Sequence, residues 1–403
     1  MIIHPLDIGT CGQGVRRSAR IEFESSNAPH SGTLWYEFPL NAEEHFSGSA
    51  DGFVAGLLLL AMTLREDVRV RGALNRGFVN NLNRYQCVFS AWFPERFSPV
   101  AIECEQWSDE SDRGAGLSVG AAFSGGVDSS FTLFSHLPRR TGGPGFPIDY
   151  ALFVHGFDIP LQDEETFATA FRRYRRDLRE LGVDLLVART NLRRFVDSGS
   201  WELMHGSALA SVALMLDRML GLFYVPASFP YTDLHPWGSH PLTDPLLSTD
   251  SLQIVHDGCM PRVDKIARVV EHPPAREWLR VCWKQPNAHR NCCQCYTCIL
   301  TMASLEIAGV LRDCRTFPEA LERSRIRAMR LPIEEFRETE RLAERARAAG
   351  RLDLAEDLTL ALRLSRRSLA ISEAGRRLRA LIRFLRRRAG VGLGGRVRLP
   401  GQS

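Results

Sequence analysis

Apolar residues recur along this chain in two rhythms. Short, nearly uninterrupted apolar runs at 117–123 (LSVGAAF), 149–154, 183–188 and 222–225 have the length and composition of strands buried on both faces. Between them, 163–181 and 202–220 carry the three-and-four spacing of amphipathic helices. Strands alternating with helices predict an α/β fold built on a doubly wound parallel sheet. Ligands of such sheets sit beyond the carboxyl ends of the strands. Ser124 to Ser129, His155 to Asp158, Thr190 and Asn191, and Ala227 and Ser228 are therefore expected to face a site.

The flanking regions read differently. Residues 1–113 show an α+β pattern: strands at 21–23, 33–38, 67–70 and 99–105, a helix at 51–65 capped by Asp51, and a helix at 75–93. An acidic, glycine-bearing stretch at 108–116 has the composition of a linker. Beyond Gly309 only helical patterns follow, at 318–329, 332–349, 352–369 and 372–388. The expected division is an N-terminal α+β domain (1–113), a central α/β domain (117–310) and a helical, arginine-rich C-terminal region (311–403).

Composition excludes several classes. With 44% hydrophobic and 24% charged residues the chain is ordinary for a soluble globular protein. The first residues lack a basic segment and a long apolar core, and the run at 53–64 is too short to span a bilayer. A cytoplasmic location is expected, where ten cysteines suit metal or catalytic thiols better than disulfides. Charge is unevenly spread. From Arg363 to Arg398 twelve arginines stand against one glutamate, a charge of +11, so the other residues carry a net −7. Leu378, Leu381, Ile382 and Leu385 form an apolar stripe there among Arg376, Arg377, Arg379, Arg383 and Arg386. Such a basic amphipathic helix suits RNA, an anionic membrane or an acidic partner, or else packs on the protein's own body.

The first candidate for chemistry is Ser124-Gly125-Gly126-Val127-Asp128-Ser129, between an apolar strand and a helix start. Glycines in such a turn let backbone N–H groups converge on an anion, and the helix dipole adds positive potential. Ser124 and Ser129 supply hydroxyls, and Asp128 is a candidate ligand for Mg²⁺ bridging phosphate oxygens. The plainer alternative is a helix cap after a glycine turn. No lysine follows the glycines, so this is not a Walker A loop. The string resembles the pyrophosphate loop of the N-type ATP pyrophosphatases, which cleave ATP between the α and β phosphates and activate a substrate oxygen as an adenylate. The resemblance implies a sheet of the adenine nucleotide alpha hydrolase-like kind, ATP as cosubstrate, and adenine and ribose contacts at Val154, His155 and Phe157.

The second candidate is Cys282-x9-Cys292-Cys293-x-Cys295-x2-Cys298. Cys282, Cys292, Cys295 and Cys298 have the spacing of a closed tetrahedral thiolate site, for which zinc is the natural occupant. Buried thiols and a [4Fe–4S] cluster are the alternatives. Cys293 is the spare, able to replace Cys292. Together the two motifs, over about 117–309, resemble 7-cyano-7-deazaguanine synthase and its relatives. There four such cysteines hold a structural zinc, and a carboxylate is adenylated and attacked by ammonia. The resemblance implies a ligase acting on a small-molecule or peptide carboxylate. A tRNA sulfur-transferase on the same fold is an alternative requiring a reactive cysteine near the loop, and a non-catalytic ATP- or AMP-binding regulatory module is another.

Lesser candidates lie between the motifs. Lys265, one of only two lysines, is expected either to offset phosphate or adenylate charge or to lie exposed on a helix. Asp128, Ser129 and Lys265 make up the candidate catalytic set. Ser239, His240 and Asp244 sit in a polar loop expected to reach over the nucleotide, and His205 opens a helix. Cys259, in a glycine turn, is expected to be inert.

Overall fold

The computed structural model describes residues 1–388 apart from 13, 26–27, 29–30, 109–117, 138–145, 197–199 and 283–289; side chains of 372–388 are also outside the description. Leu117, the linker composition at 109–116, the apolar stripe of the arginine-rich helix and residues 389–403 therefore lie outside it.

Among the described residues eleven strands make one sheet: β1 (Ile2–Ile3), β2 (Asp7–Cys11), β3 (Gly14–Glu22), β4 (Gly32–Pro39), β5 (Val68–Asn75), β6 (Ile102–Ser108), β7 (Ser118–Ala122), β8 (Tyr150–His155), β9 (Asp184–Thr190), β10 (Leu220–Pro226) and β11 (Gln253–Asp257). Their order is β11-β10-β7-β8-β9-β4-β3-β1-β5-β6, with β2 paired to β3. From β11 to β9 every pairing is parallel. β1 to β4 add antiparallel pairings, and β5 pairs in parallel with β1 and β6. The molecule is thus α/β with a mostly parallel sheet flanked by helices, compatible with double winding.

Side-chain alternation shows the winding. Ala122 of β7, Leu152 and Val154 of β8, and Phe223 and Val225 of β10 enter one apolar core, which α1 (Asp51–Leu64) and α2 (Arg76–Trp92) help to cover. Val119 and Ala121, Ala151 and Phe153, and Leu222 and Tyr224 enter a second core on the other face. Each strand thus splits its side chains between two dry layers, which is why these runs are apolar throughout. α3 (Val127–Ser135), α4 (Glu164–Glu180), α6 (Arg262–Val269), α7 (Pro273–Trp278) and α8 (Tyr296–Ile307) cover that second face, and α5 (Trp201–Leu214) the first.

The strands β1 to β6, which end at Ser108 and fall in the region read as a separate α+β domain, share this sheet with the central strands. The seam is β4 against β9, where Tyr36 pairs with Thr190. Asn191 Oδ1 accepts the Trp35 N–H at 2.9 Å, its Nδ2 donates to Thr33 O at 2.8 Å, and Thr190 Oγ1 donates to Trp35 O at 2.8 Å. Thr190 and Asn191, expected to face a site, instead bond the two strand sets together. Asp51 is not a cap: it is the first helical residue of α1, fully buried, and accepts the Asn75 N–H at 3.0 Å.

The chain divides into two compact units, Met1–Leu321 and Glu322–Ser403. In the second, α9 (Arg323–Ala328), α10 (Phe336–Ala348) and α11 (Leu352–Arg388) are the helices, so the helix expected at 318–329 is far shorter. The two helices expected at 352–369 and 372–388 are one helix of 37 residues, because neither glycine nor proline interrupts it before Gly375, which the helix absorbs. Asp357, 3% exposed, receives the guanidinium groups of both Arg323 and Arg327. Among the described residues no helix is long and apolar enough to cross a membrane.

Candidate functional site

The parallel strands run in space β9-β8-β7-β10-β11, so the chain leaves β7 in one direction for β8 and returns on its other side for β10. That reversal marks the carboxyl end of β7 as a topological switch point, the place where open α/β sheets bind ligands. Ser124 to Ser129 occupy it. Gly125 has φ +73°, and a Cβ there would stand 2.2 Å from the Tyr174 hydroxyl, so only glycine fits the turn. Gly126 is the N-cap of α3, with no side-chain cap, so the helix begins at this loop with its first amides uncapped by a side chain. Ser129 Oγ accepts the Ser124 N–H at 3.2 Å and donates to Gly126 O at 3.3 Å. Tyr174 donates to Ser124 O at 3.2 Å and the Arg280 N–H to Gly125 O at 2.9 Å, fixing the turn from outside.

Asp128 lies in the first turn of α3. Lys265 Nζ donates to its Oδ1 at 2.8 Å and Arg262 Nη1 to its Oδ2 at 3.0 Å. Lys265 also donates to Ala227 O at the end of β10, and is fully buried. Of the two readings of Lys265, the exposed helix lysine is excluded. Burial alone would raise the Asp128 pKa; the neighbouring Lys265 ammonium and Arg262 guanidinium more than offset it, so the carboxyl sits below its usual range and is ionised. Two cations against one carboxylate leave a net positive charge beneath the helix start. Both Asp128 oxygens are taken by these cations. A magnesium ion held at Asp128 does not fit this arrangement, and no step is derived through one.

At the end of β8, Val154 and Phe157 are buried, and Phe157 packs at 5.0 Å on the Trp201 ring. His155 has no exposed surface; its Nε2 bonds Pro160 O at 2.9 Å and its ring stacks on Phe167 at 4.2 Å. Burial holds it neutral. Of this segment Asp158 keeps some exposure. Burial raises its pKa, against the pull of Arg280 and Arg193. Arg280 Nε is buried and makes no hydrogen bond, a charged donor left over beside the loop.

The cysteines converge. The Sγ atoms of Cys282, Cys292, Cys295 and Cys298 all lie within 4.8 Å of one another, and Cys292 to Cys298 is 3.7 Å. Four thiolates at about 2.3 Å from one tetrahedral ion stand about 3.8 Å apart, so the set could hold a metal such as zinc. A four-iron cluster, with inorganic sulfide between the irons, would push the thiolates further apart. Cys292 Sγ accepts the N–H groups of Gln294 and Cys295 at 3.4 and 3.3 Å, as in a turn that wraps an ion. Cys295 caps α8, and its hydrogen bond from Cys298 lowers its pKa to about 5 while raising that of Cys298. Four thiols packed this closely cannot all ionise without a cation among them. Cys293, at φ +55° and buried, turns its thiol to Asn291 O at 3.5 Å, outside the set.

Several functional residues carry no sequence signal of their own. Arg262 stands one helical turn before Lys265, yet nothing in that spacing points to Asp128. Asn291 is the brace of the cysteine site: its Oδ1 accepts the Val281 and Cys282 N–H groups at 2.8 and 3.1 Å, and its Nδ2 donates to Leu279 O at 2.9 Å. Ser239 and Asp244 are buried together under β11, a strand the sequence pattern did not predict because it alternates polar and apolar residues only weakly. His240 donates its N–H to Asp244 Oδ1 at 3.1 Å and packs on Trp92 at 5.0 Å. His205 Nδ1 bonds Glu202 O at 3.0 Å, beside the Trp237 ring. No protein-family model, curated protein or solved structure matches this chain.

Proposed function

We propose that the protein is an ATP-dependent adenylating enzyme of the N-type ATP pyrophosphatase kind, cleaving ATP to AMP and pyrophosphate while activating a carboxylate or amide oxygen. The observation that carries this reading is the serine-glycine loop at the switch point of the parallel sheet, with a helix N-terminus at it and the buried Lys265 and half-buried Arg262 holding Asp128 beside it. The mostly parallel, doubly wound order β9-β8-β7-β10-β11 is compatible with that reading. In this reading the loop amides and the Ser124 and Ser129 hydroxyls hold the β and γ phosphates. Arg262, anchored on Asp128, meets the negative charge that grows on the departing pyrophosphate, and Lys265 fixes Asp128 and the end of β10 around it. The substrate oxygen attacks the α-phosphorus in line, and rate comes from positioning and charge complementarity. In this reading Arg280 and Arg193, whose charges both act on Asp158, meet the substrate's carboxylate.

The four-cysteine centre has a structural role here. Four thiolates saturate a tetrahedral zinc, leaving no position for water or substrate. The test is product analysis with ATP over a panel of carboxylates. AMP and pyrophosphate are expected, with release lost in Asp128→Ala while circular dichroism is unchanged; ADP and phosphate as products overturn the reading.

A further inference from the structure

Many arginines of this chain are answered by carboxylates: Arg16 by Glu37, Arg71 by Glu105, Arg262 by Asp128, and Arg323 and Arg327 by Asp357. Three are not. Arg173 of α4, Arg280 and Arg290 line one small, open-sided pocket with Tyr174, Trp278 and Asn291, and no carboxylate belongs to its lining. Among the described residues none of these three guanidinium groups makes an ion pair; Asp158 feels the Arg280 charge from outside the lining. Arg173 Nη1 donates to the Glu277 backbone carbonyl at 2.8 Å, which leaves its charge unanswered. Arg280 Nε is buried and makes no hydrogen bond. Three cations gathered in one lining repel one another, and a buried donor without an acceptor adds to the cost. Both penalties disappear when an oxyanion occupies the pocket.

The pocket is not the anion cradle of the serine-glycine loop. Its walls bond the other side of that turn. The Tyr174 hydroxyl donates to Ser124 O at 3.2 Å, the Arg280 N–H to Gly125 O at 2.9 Å, and the Trp278 indole N–H to Ser130 Oγ of α3 at 3.2 Å. The lining therefore meets carbonyl oxygens of the turn, while the α3 amides begin beyond Gly126. Tyr174 and Trp278 are both buried, with their rings edge-on at 6.2 Å, so this wall keeps water from one side of the guanidinium groups. At the far end Asn291 joins the pocket to the cysteine centre through the Val281 and Cys282 N–H groups.

We propose that Arg173, Arg280 and Arg290 form a second oxyanion site, behind the serine-glycine loop, that takes a single phosphate group. Guanidinium forks match the oxygens of carboxylate and phosphate alike. Three of them suit a dianion with three terminal oxygens better than a carboxylate with two. The pocket is too small for a nucleoside, so the group is either free phosphate or the phosphate end of a molecule that lies mostly outside. The inference stands apart from the adenylation reading. Arg280 is shared with the substrate contact proposed above, and Arg173 and Arg290 carry the test.

The test uses the full chain with its metal retained. Phenylglyoxal modifies arginines, and peptide mass spectrometry reads each one separately. Saturating inorganic phosphate should slow modification of Arg173 and Arg290 about tenfold, with exposed Arg65 unmoved and sodium chloride of equal ionic strength without effect. Protection by inorganic phosphate upholds the site for the free ion; protection by glycerol 3-phosphate alone upholds it for a phosphate carried on a larger molecule. Malonate protecting as well as phosphate makes this a carboxylate site and overturns the assignment. No protection by any of them, or equal protection of Arg65 or by chloride, overturns the site itself. In calorimetry Arg173→Gln and Arg290→Gln should each weaken phosphate binding about tenfold. Should Arg173→Gln disturb α4, the exposed Arg290 provides the comparison. Ser129→Ala should leave the protection in place; its loss there, with both arginine variants binding normally, puts the ion at the loop and overturns the proposal. ADP and phosphate as products of ATP would overturn the adenylation reading and leave these outcomes untouched.

Discussion

The serine-glycine loop and the cysteine centre are both compact motifs, yet they are completed in opposite ways. The cysteine centre closes on itself: its four sulfurs, its brace Asn291 and its capping helix all fall between Cys282 and Ile307. The loop is finished from afar, since Asp128 meets Lys265 and Arg262 across 137 and 134 residues. A local motif can be stabilised by an ion binding to its own segment. A motif completed by distant side chains depends on the whole sheet placing them. This difference predicts distinct responses to perturbation.

The largest effect should come from the metal. Structural zinc sites in small domains bind with about 10–16 kcal/mol. Cys298→Ser should therefore abolish metal retention in elemental analysis and lower the unfolding midpoint markedly, whereas Cys293→Ser should change neither, because its thiol turns to Asn291 O. Full metal occupancy in Cys298→Ser would break the comparison at its simplest point.

Lys265→Met comes next. It strands Asp128 without one of its two cations, and removing one partner of a buried pair costs about 3–5 kcal/mol. Because Asp128 keeps a quarter of its side-chain surface exposed and retains Arg262, the lower figure is expected by urea unfolding. The double variant Asp128→Asn/Lys265→Met should recover part of that loss, and added zinc should recover none. Rescue by zinc would erase the distinction between the two regions.

Asn291→Ala should cost about 2–3 kcal/mol, because the Val281 and Cys282 N–H groups lose their buried acceptor, while the Leu279 carbonyl keeps the Thr316 hydroxyl. Its stability should become steeply dependent on zinc concentration, read from unfolding midpoints in a zinc titration. A midpoint indifferent to zinc would show that Asn291 supports the sheet and not the metal loop.

The smallest effect concerns pH. Burial lowers the His256 pKa, but the Asp244 carboxylate, 2.7 Å from its Nδ1, outweighs it and raises the value from 6.5 to about 9 in the folded chain. A histidine raised by folding stabilises fully below its unfolded pKa and loses that contribution as pH rises through the folded one. Wild type should therefore lose about 2 kcal/mol more than His256→Gln between pH 6.5 and about 8.5. Equal slopes in the two proteins would show that Asp244 does not hold an imidazolium.

What the sequence by itself determined is whatever short-range physics specifies. Runs such as 117–123 are apolar at every position because both faces of those strands are buried, so the α/β class and the parallel strands β7 to β10 were legible to within a few residues. The glycine pair declares a turn, which only glycine tolerates at Gly125, and four closely spaced cysteines declare a convergence of sulfur. Tertiary structure decided the rest. That residues 1–108 extend the same sheet depends on Thr190 and Asn191 bonding β4, and side chains at a strand end look the same whether they face a ligand or another strand. Lys265 and Arg262 meet Asp128 only because α6 packs against α3. His256 meets the buried Asp244 only because β11, too weakly patterned to be predicted, packs against the loop before it. Pattern records what a residue is surrounded by on average, while a site depends on which particular atoms meet, and that is settled only when distant segments pack.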